Sequence, residues 1–237
     1  PRYDDEGRPL PNLTLLTGGL QAGKSLAGSS HMFAMHWCSS ILWIVGERYE
    51  DCRYEFKGLV EEGMWIGALE WRNVTFPQNP GPCRATFNNG CIVRTLSSSD
   101  ASTLASESPD GVLMVEAGRQ SWTAFETLWE RVIQKSGWLL VSGTIEQLQG
   151  RWFPNLWNEL QGDNVYHGKS LRLPSYANPK FYPEGVNDPK ILAAKKTMSE
   201  EEFAERFLGI PRAAIGVVFP QFRRATHVSF DAEYNPL

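Results

Sequence analysis

The sequence has few of the residues that build a structural metal centre or a disulfide framework. Its 237 residues include four cysteines (Cys38, Cys52, Cys83, Cys91) and four histidines. No two cysteines form a C-x-x-C pair, and their gaps of 14, 31 and 8 residues fit no zinc pattern. The histidines are equally scattered, and His31 and His36, five apart, do not share a helix face. Reduced, structural thiols of a cytosolic protein are the expectation. No apolar run reaches the roughly 18 residues of a membrane helix, and no signal peptide is read at the start. Neither charge dominates: 23 Lys+Arg stand against 27 Asp+Glu, a net of −4. This excludes a histone-like or polybasic membrane protein, but not a local basic groove for nucleic acid. With 42% hydrophobic and 21% charged residues, the composition is that of an ordered globular chain.

Glycine, proline and tryptophan are plentiful, at 21, 15 and 9 residues, and the first two punctuate the chain. Residues 1–12 are polar, carry three prolines and read as a loop or arm. Their abrupt start suggests an upstream piece. Residues 13–17 read as a strand, 18–23 as a glycine-rich turn, 24–37 as a helix, and 41–45 (ILWIV) as a buried strand. Residues 49–63 read as a charged amphipathic helix. In ATFNNGCIVRTL, Asn89-Gly90 predicts a two-residue hairpin turn between alternating strands. A serine-rich loop over 97–102 follows, then a buried strand over 112–115 (VLMV). Trp122, Phe125, Leu128, Trp129, Val132 and Ile133 recur at helical spacing, Gly137 stops that helix, and 138–141 (WLLV) is a further strand. Strands alternating with helices predict a mainly parallel sheet covered on both faces. After Gly150, prolines 154, 174, 179, 183 and 189 shorten every element. Ser199 with Glu202 reads as a capping box whose helix runs to Leu208, before Gly209 and Pro211. Two units are expected, a core over 1–150 and a smaller lobe over 151–237.

One motif carries explicit chemistry. Residues 18–25, GGLQAGKS, fit G-x-x-x-x-G-K-[ST] between a predicted strand and a predicted helix. Glycines let backbone N–H groups curl towards phosphate oxygens, and the helix N-terminus adds positive potential. Gly18, Gly19, Leu20, Gln21, Ala22, Gly23, Lys24, Ser25 and Leu26 are the expected ATP contacts. Lys24 would reach the β- and γ-phosphates, and the Ser25 hydroxyl would bind Mg²⁺. The run VLMVEAG ends an apolar strand in a carboxylate. Glu116 is therefore the expected base that polarises the attacking water, or a holder of Mg²⁺ through water. Many such sites carry Asp-Glu, and here the Asp position is Val115. Gly143-Thr144, at the tip of the next strand, is the expected γ-phosphate sensor.

Beyond this loop the chain resembles the ATPase portion of the large terminase subunit, the DNA-packaging motor of tailed bacteriophages. GGLQAGKS resembles its Walker A, ILWIVGERYEDCRYEF its next strand and helix, and FNNGCIVRTLSSSDASTL its hairpin and Ser/Asp loop. VLMVEAG resembles Walker B with the catalytic Glu, and LLVSGTIEQLQGRWF the coupling motif. SYANPKFYP with MSEEEFAERFLGIPRAAIGVVFPQF resembles the lid and linker. The resemblance implies a P-loop NTPase of the additional-strand, catalytic-glutamate (ASCE) type, with a small C-terminal lid/linker lobe. It implies ATP hydrolysis with Mg²⁺, coupled to translocation of double-stranded DNA into a procapsid. It also implies a ring of subunits, usually five, on the portal, a small terminase subunit as partner, and action in the infected host's cytoplasm. The family's nuclease domain would begin near the last residues, DAEYNPL, so no nuclease activity is expected of this chain.

The sequence departs from the family pattern in three ways. Leu20 stands where a P-loop arginine is often found, which leaves the charge stabiliser to a neighbouring subunit; Arg48, Arg94, Arg119 and Arg151 are the candidates, and the sequence does not choose. Val115 removes the usual second acid. No adenine-binding glutamine segment is visible upstream. Trp122, Trp129 and Trp138 read as packing rather than base-stacking residues. Lys195-Lys196 and Arg223-Arg224 read either as contacts to DNA phosphates or as solvated surface. A nucleotide-holding assembly switch and another DNA-translocating motor, such as a helicase, are the competing readings. The stretch after residue 150 is short and proline-broken for a second helicase motor domain.

Overall fold

The computed structural model describes residues 2–3, 9–105, 107–145 and 152–210. In chain order the strands and α-helices are β1 (Arg2–Tyr3), β2 (Pro9–Leu10), β3 (Asn12–Gly18), α1 (Lys24–Met35), β4 (Ile41–Gly46), α2 (Arg53–Trp65), β5 (Val74–Thr75), β6 (Arg84–Thr86), β7 (Ile92–Ser97), α3 (Ala101–Leu104), β8 (Gly111–Met114), α4 (Trp122–Ile133), β9 (Trp138–Gly143), α5 (Trp152–Glu159), β10 (Lys169–Leu173), α6 (Pro189–Thr197) and α7 (Glu200–Phe203). The stretch read as a loop or arm contains the antiparallel β1–β2 pair.

Eight strands form one sheet in the order β10-β3-β9-β8-β4-β7-β6-β5. From β10 to β7 every pairing is parallel, and only the β7–β6 and β6–β5 pairings are antiparallel. The mainly parallel sheet expected from the alternation of elements is thus present. β4, β8 and β9 are buried almost throughout, as a sheet covered on both faces requires. Alternation along β8 divides its side chains between two cores. Leu113 and Val115 join Met32 of α1 and Phe56, Leu59 and Val60 of α2 on one face. Val112 and Met114 join Phe125, Leu128 and Val132 of α4 and Phe153 and Leu156 of α5 on the other.

Three local expectations are corrected. The hairpin turn has three residues, not two: Phe87 faces Cys91, donating its N–H to that carbonyl at 2.9 Å, and Gly90 lies at φ 90°. The Gly90 N–H closes on the Phe87 carbonyl, which is a tight turn followed by a left-handed glycine, the common three-residue loop. Trp122, read as fitting a core, packs at its rim instead: it is 37% exposed, in a ring cluster with Phe125 and Trp152. Finally, the sheet continues past residue 150. α5 packs into the second core, and β10 pairs with β3. A separate small core of Tyr182, Ile191, Phe203 and Phe207 lies beyond β10 and defines the lobe over 174–210.

Candidate functional site

The glycine-rich motif is the turn from β3 into α1. Gly23 caps the helix at φ 98° and ψ 17°, a left-handed conformation that glycine adopts without a Cβ penalty. Gln21 is also left-handed, at φ 55°. The Lys24 ammonium donates to the Gly18 and Gly19 carbonyls at 3.1 Å each, so the cation sits at the mouth of the loop. Leu20, Gln21 and Leu26 are exposed, Ala22 is buried, and Gly23, Lys24 and Ser25 are half-buried.

The small lobe is tied to this loop. Leu20 N–H donates to the Arg206 carbonyl at 2.8 Å, and Gly19 N–H to the Leu173 carbonyl at 3.0 Å. The Ser175 hydroxyl donates to the Leu20 carbonyl and the Asn178 amide to the Gln21 carbonyl, both at 2.7 Å. Residues 204–208, expected to continue an α-helix, form a π turn. Arg206 lies in its last turn, where carbonyls lack a helical partner, and its carbonyl receives Leu20. The Ser199 cap is present, accepting the Glu202 N–H at 3.1 Å, and Gly209 ends the element at φ 67°.

Glu116 follows the C-terminal end of β8, half-buried, at φ 47° and ψ 42°. A left-handed glutamate is uncommon, and such strain gathers at functional sites. β9 lies between β8 and β3, so the Glu116 tip and the glycine loop flank the tip of β9 at one edge of the sheet. Gly143 ends β9 and is buried; a Cβ there would meet the Ala117 and Gly118 amides at 3.0 and 3.2 Å. The backbone after Glu116 therefore packs directly on the β9 tip, and Thr144 follows, half-buried. Gln120, 1% exposed, donates to the Val45 and Val115 carbonyls at 3.2 and 2.6 Å and ties the ends of β4 and β8.

The sequence reading missed Glu55. This α2 carboxylate is 5% exposed, and the Ser25 hydroxyl lies against it. Burial pushes its pKa up, the Ser25 hydroxyl and its own backbone N–H pull it down, and nearby Glu116 and Asp51 push it up further. Its Oε2 is buried without a hydrogen-bond partner. In sequence Glu55 is one acid of a charged helix, and its burial comes from the packing of α2 on α1.

The candidate arginines separate. Arg48 is exposed in the loop after β4, and Arg119 is exposed three residues after Glu116; both follow strand ends on the Glu116 edge. Arg94 is not brought to that edge: it stands mid-strand opposite Trp43 and is ion-paired with Glu107. Arg151 and Arg223-Arg224 lie outside the described residues, and Lys195 and Lys196 are exposed at the end of α6. Among the described residues no group of three His, Cys, Asp or Glu is arranged to hold a metal. A cavity of about 630 Å³, lined by His31, Asp110, Lys135, Trp138 and Lys169 among others, opens at the opposite end of the strands and is no part of this site.

A parallel sheet with one strand between the glycine-loop strand and the acid-bearing strand, both tips meeting at one edge, defines the fold of a P-loop NTPase. Among solved structures the chain is similar to the large terminase ATPase domain of Thermus phage P74-26. A point mutant of that domain aligns at TM-score 0.64 and 17% identity, over 84% of this chain and 89% of that one. The large terminase of the thermophilic bacteriophage D6E aligns at TM-score 0.63 and 12% identity. That alignment covers 93% of this chain but 53% of the D6E protein, so the chain spans about half its length. The D6E protein in complex with ADP aligns at TM-score 0.60 and 12% identity, over 91% and 52%. No protein-family model and no curated protein matches the chain. Identities this low carry the fold.

Proposed function

We propose that this chain is the ATP-hydrolysing motor domain of a large terminase, moving double-stranded DNA through a portal into a procapsid. The observation that carries the reading is the meeting of the Lys24 loop and Glu116 at one sheet edge, one strand apart, in a chain with the fold of terminase ATPase domains. The D6E relative in complex with ADP supports a nucleotide as ligand.

In this reading Lys24 exchanges its two carbonyl partners for the β- and γ-phosphates, and the N-terminus of α1 adds positive potential. The residues fit a magnesium nucleotide: a hydroxyl (Ser25) and a carboxylate (Glu116), both half-buried, stand beside the loop. Bound Mg²⁺ would offset phosphate charge and polarise the γ-phosphoryl group. Glu116 accepts the proton of the attacking water. The Gly143-Thr144 tip lies between base and loop, where it would sense the γ-phosphate. The lobe over 174–210 is the lid, and the sheet body is the motor core. Arg48 or Arg119 of a neighbouring subunit supplies the charge that Leu20 does not. A ring of five on the portal, a small terminase subunit as partner, and action in the infected host's cytoplasm complete the proposal.

Steady-state ATP hydrolysis with Mg²⁺, measured for wild type and Glu116→Gln across protein concentration, tests it. A rate that depends on Glu116 and climbs with concentration is expected. Val115 favours a second reading, a nucleotide-held assembly switch. ATP binding without hydrolysis, even with portal and DNA present, would select the switch.

A further inference from the structure

Val115 occupies the position that carries the second acid in many sites of this kind, and its side chain has a definite direction. It is 2% exposed and packs, with Leu113, in the core shared with α1 and α2. An acid there would face the layer that holds Cys52, in the turn before α2, and Phe56 of α2. Glu55, in the first turn of α2, lies between those two in sequence. It meets the Ser25 hydroxyl and is close enough to Glu116 to feel its charge.

We propose that Glu55 supplies from α2 the second carboxylate of the magnesium–nucleotide site, in the place that Val115 leaves apolar. The inference rests on the reading of Lys24, Ser25 and Glu116 given above. Its first support is an unmet requirement. A carboxylate 5% exposed, with Oε2 buried and unpartnered, carries a desolvation cost that a hard cation or its bound water would remove. Its second support is the helix pair. α1 and α2 approach so closely that a Cβ on Gly58 would come within 2.9 Å of the Ser29 Oγ. Further along the pair, Ser30 donates to Glu62 Oε1 at 2.9 Å. Ser30–Glu62 is a second Ser–Glu pair, one of whose carboxylate oxygens, Oε2, is likewise buried without a hydrogen-bond partner, so it is the place beside Ser25 that sets Glu55 apart. Glu55 is the member of this ladder set against Ser25, the hydroxyl that would hold the ion. Magnesium takes oxygen ligands and usually keeps several waters, so one carboxylate beside Ser25, direct or through water, suits it.

The test reads metal binding rather than turnover. Mn²⁺ stands in for Mg²⁺ and is titrated by electron paramagnetic resonance with ADP present; ADP affinity is measured separately in EDTA, and folding by thermal melting. Glu55→Gln preserves shape and is expected to keep metal-free ADP affinity while losing Mn²⁺ affinity by about tenfold or more. Glu55→Asp, which keeps the charge, is expected to lie above Glu55→Gln in Mn²⁺ affinity. In the Glu55→Gln background, Val115→Asp is expected to recover part of the loss. Wild-type Mn²⁺ affinity in Glu55→Gln overturns the proposal and leaves the nucleotide reading standing. Equal affinities in the Gln and Asp variants, or no recovery in a folded double variant, also overturn it. Loss of ADP binding in EDTA assigns Glu55 to helix packing alone. A wild type that binds no ADP overturns both readings.

Discussion

Cysteine chemistry separates cleanly by position. Cys38 is exposed, whereas Cys52, Cys83 and Cys91 are buried. Burial raises all three buried thiols, Cys91 to about 12. A thiol-exchange reagent at pH 8 is therefore expected to titrate one thiol in the native protein and four in denaturant, because the thiolate is the reactive form. Fast labelling of two or more native thiols would contradict this burial. At the proposed site, Lys24→Ala removes the counter-charge for phosphate and is expected to abolish ATP binding by calorimetry. Glu116→Gln is expected to keep ATP affinity and reduce turnover at least about 100-fold, the range for a lost general base. Lys24 and Glu116 were legible because each stands in a local string whose chemistry needs neighbours in sequence. Glu55 was not, since nothing in RYEFKGLVEEG marks it apart from Glu61 or Glu62. It is buried where α2 and α1 meet, as the close approach of Gly58 to Ser29 shows.

At the scale of elements, the small lobe and the loop behave as one unit. Ser175 and Asn178 each donate to a loop carbonyl, and α7 with its π turn receives Leu20. Ser175→Ala is expected to destabilise the fold by about 1–3 kcal/mol, because the hydroxyl is buried and its loss leaves the Leu20 carbonyl short of a donor. Urea unfolding checks the value; an unchanged midpoint would mean that water replaces the hydroxyl. The sheet strands were legible where they are buried on both faces, since continuous apolar runs such as ILWIV and VLMV have one reading. β10 was not, because KSLRL is an edge strand with no fully buried residue, set among prolines. The hairpin was found, but its loop length was not: Asn89-Gly90 suits a two-residue turn, and the Phe87–Cys91 pairing decides for three.

For the whole molecule, the open question is what completes the charge at the loop. Leu20 is 45% exposed and supplies none, and Arg119 stands exposed beyond Glu116. If Arg119 acts across subunits, Arg119→Ala and Glu116→Gln are each expected to be inactive, and their mixture to regain part of the wild-type rate. Some interfaces in the mixture would pair an intact base with an intact arginine. A mixture as inactive as its parts would sink that assignment and turn attention to Arg48. The parallel body was legible as a class from the alternation of strands and helices; the point where it ends was not, because α5 and β10 rejoin it after the proline-rich shift. One contact has a mechanical meaning. A Cβ on Gly209 would sit 2.9 Å from the Gly18 Cα, and the Thr17 hydroxyl donates to the Gly209 carbonyl at 2.9 Å. Backbone thus bears on backbone where the small lobe ends and the glycine loop begins. A push delivered at Ile210 meets an incompressible stop, and a pull draws on a buried hydrogen bond. Such a joint would pass a load between lobe and loop with little slack, as a pawl engages a ratchet.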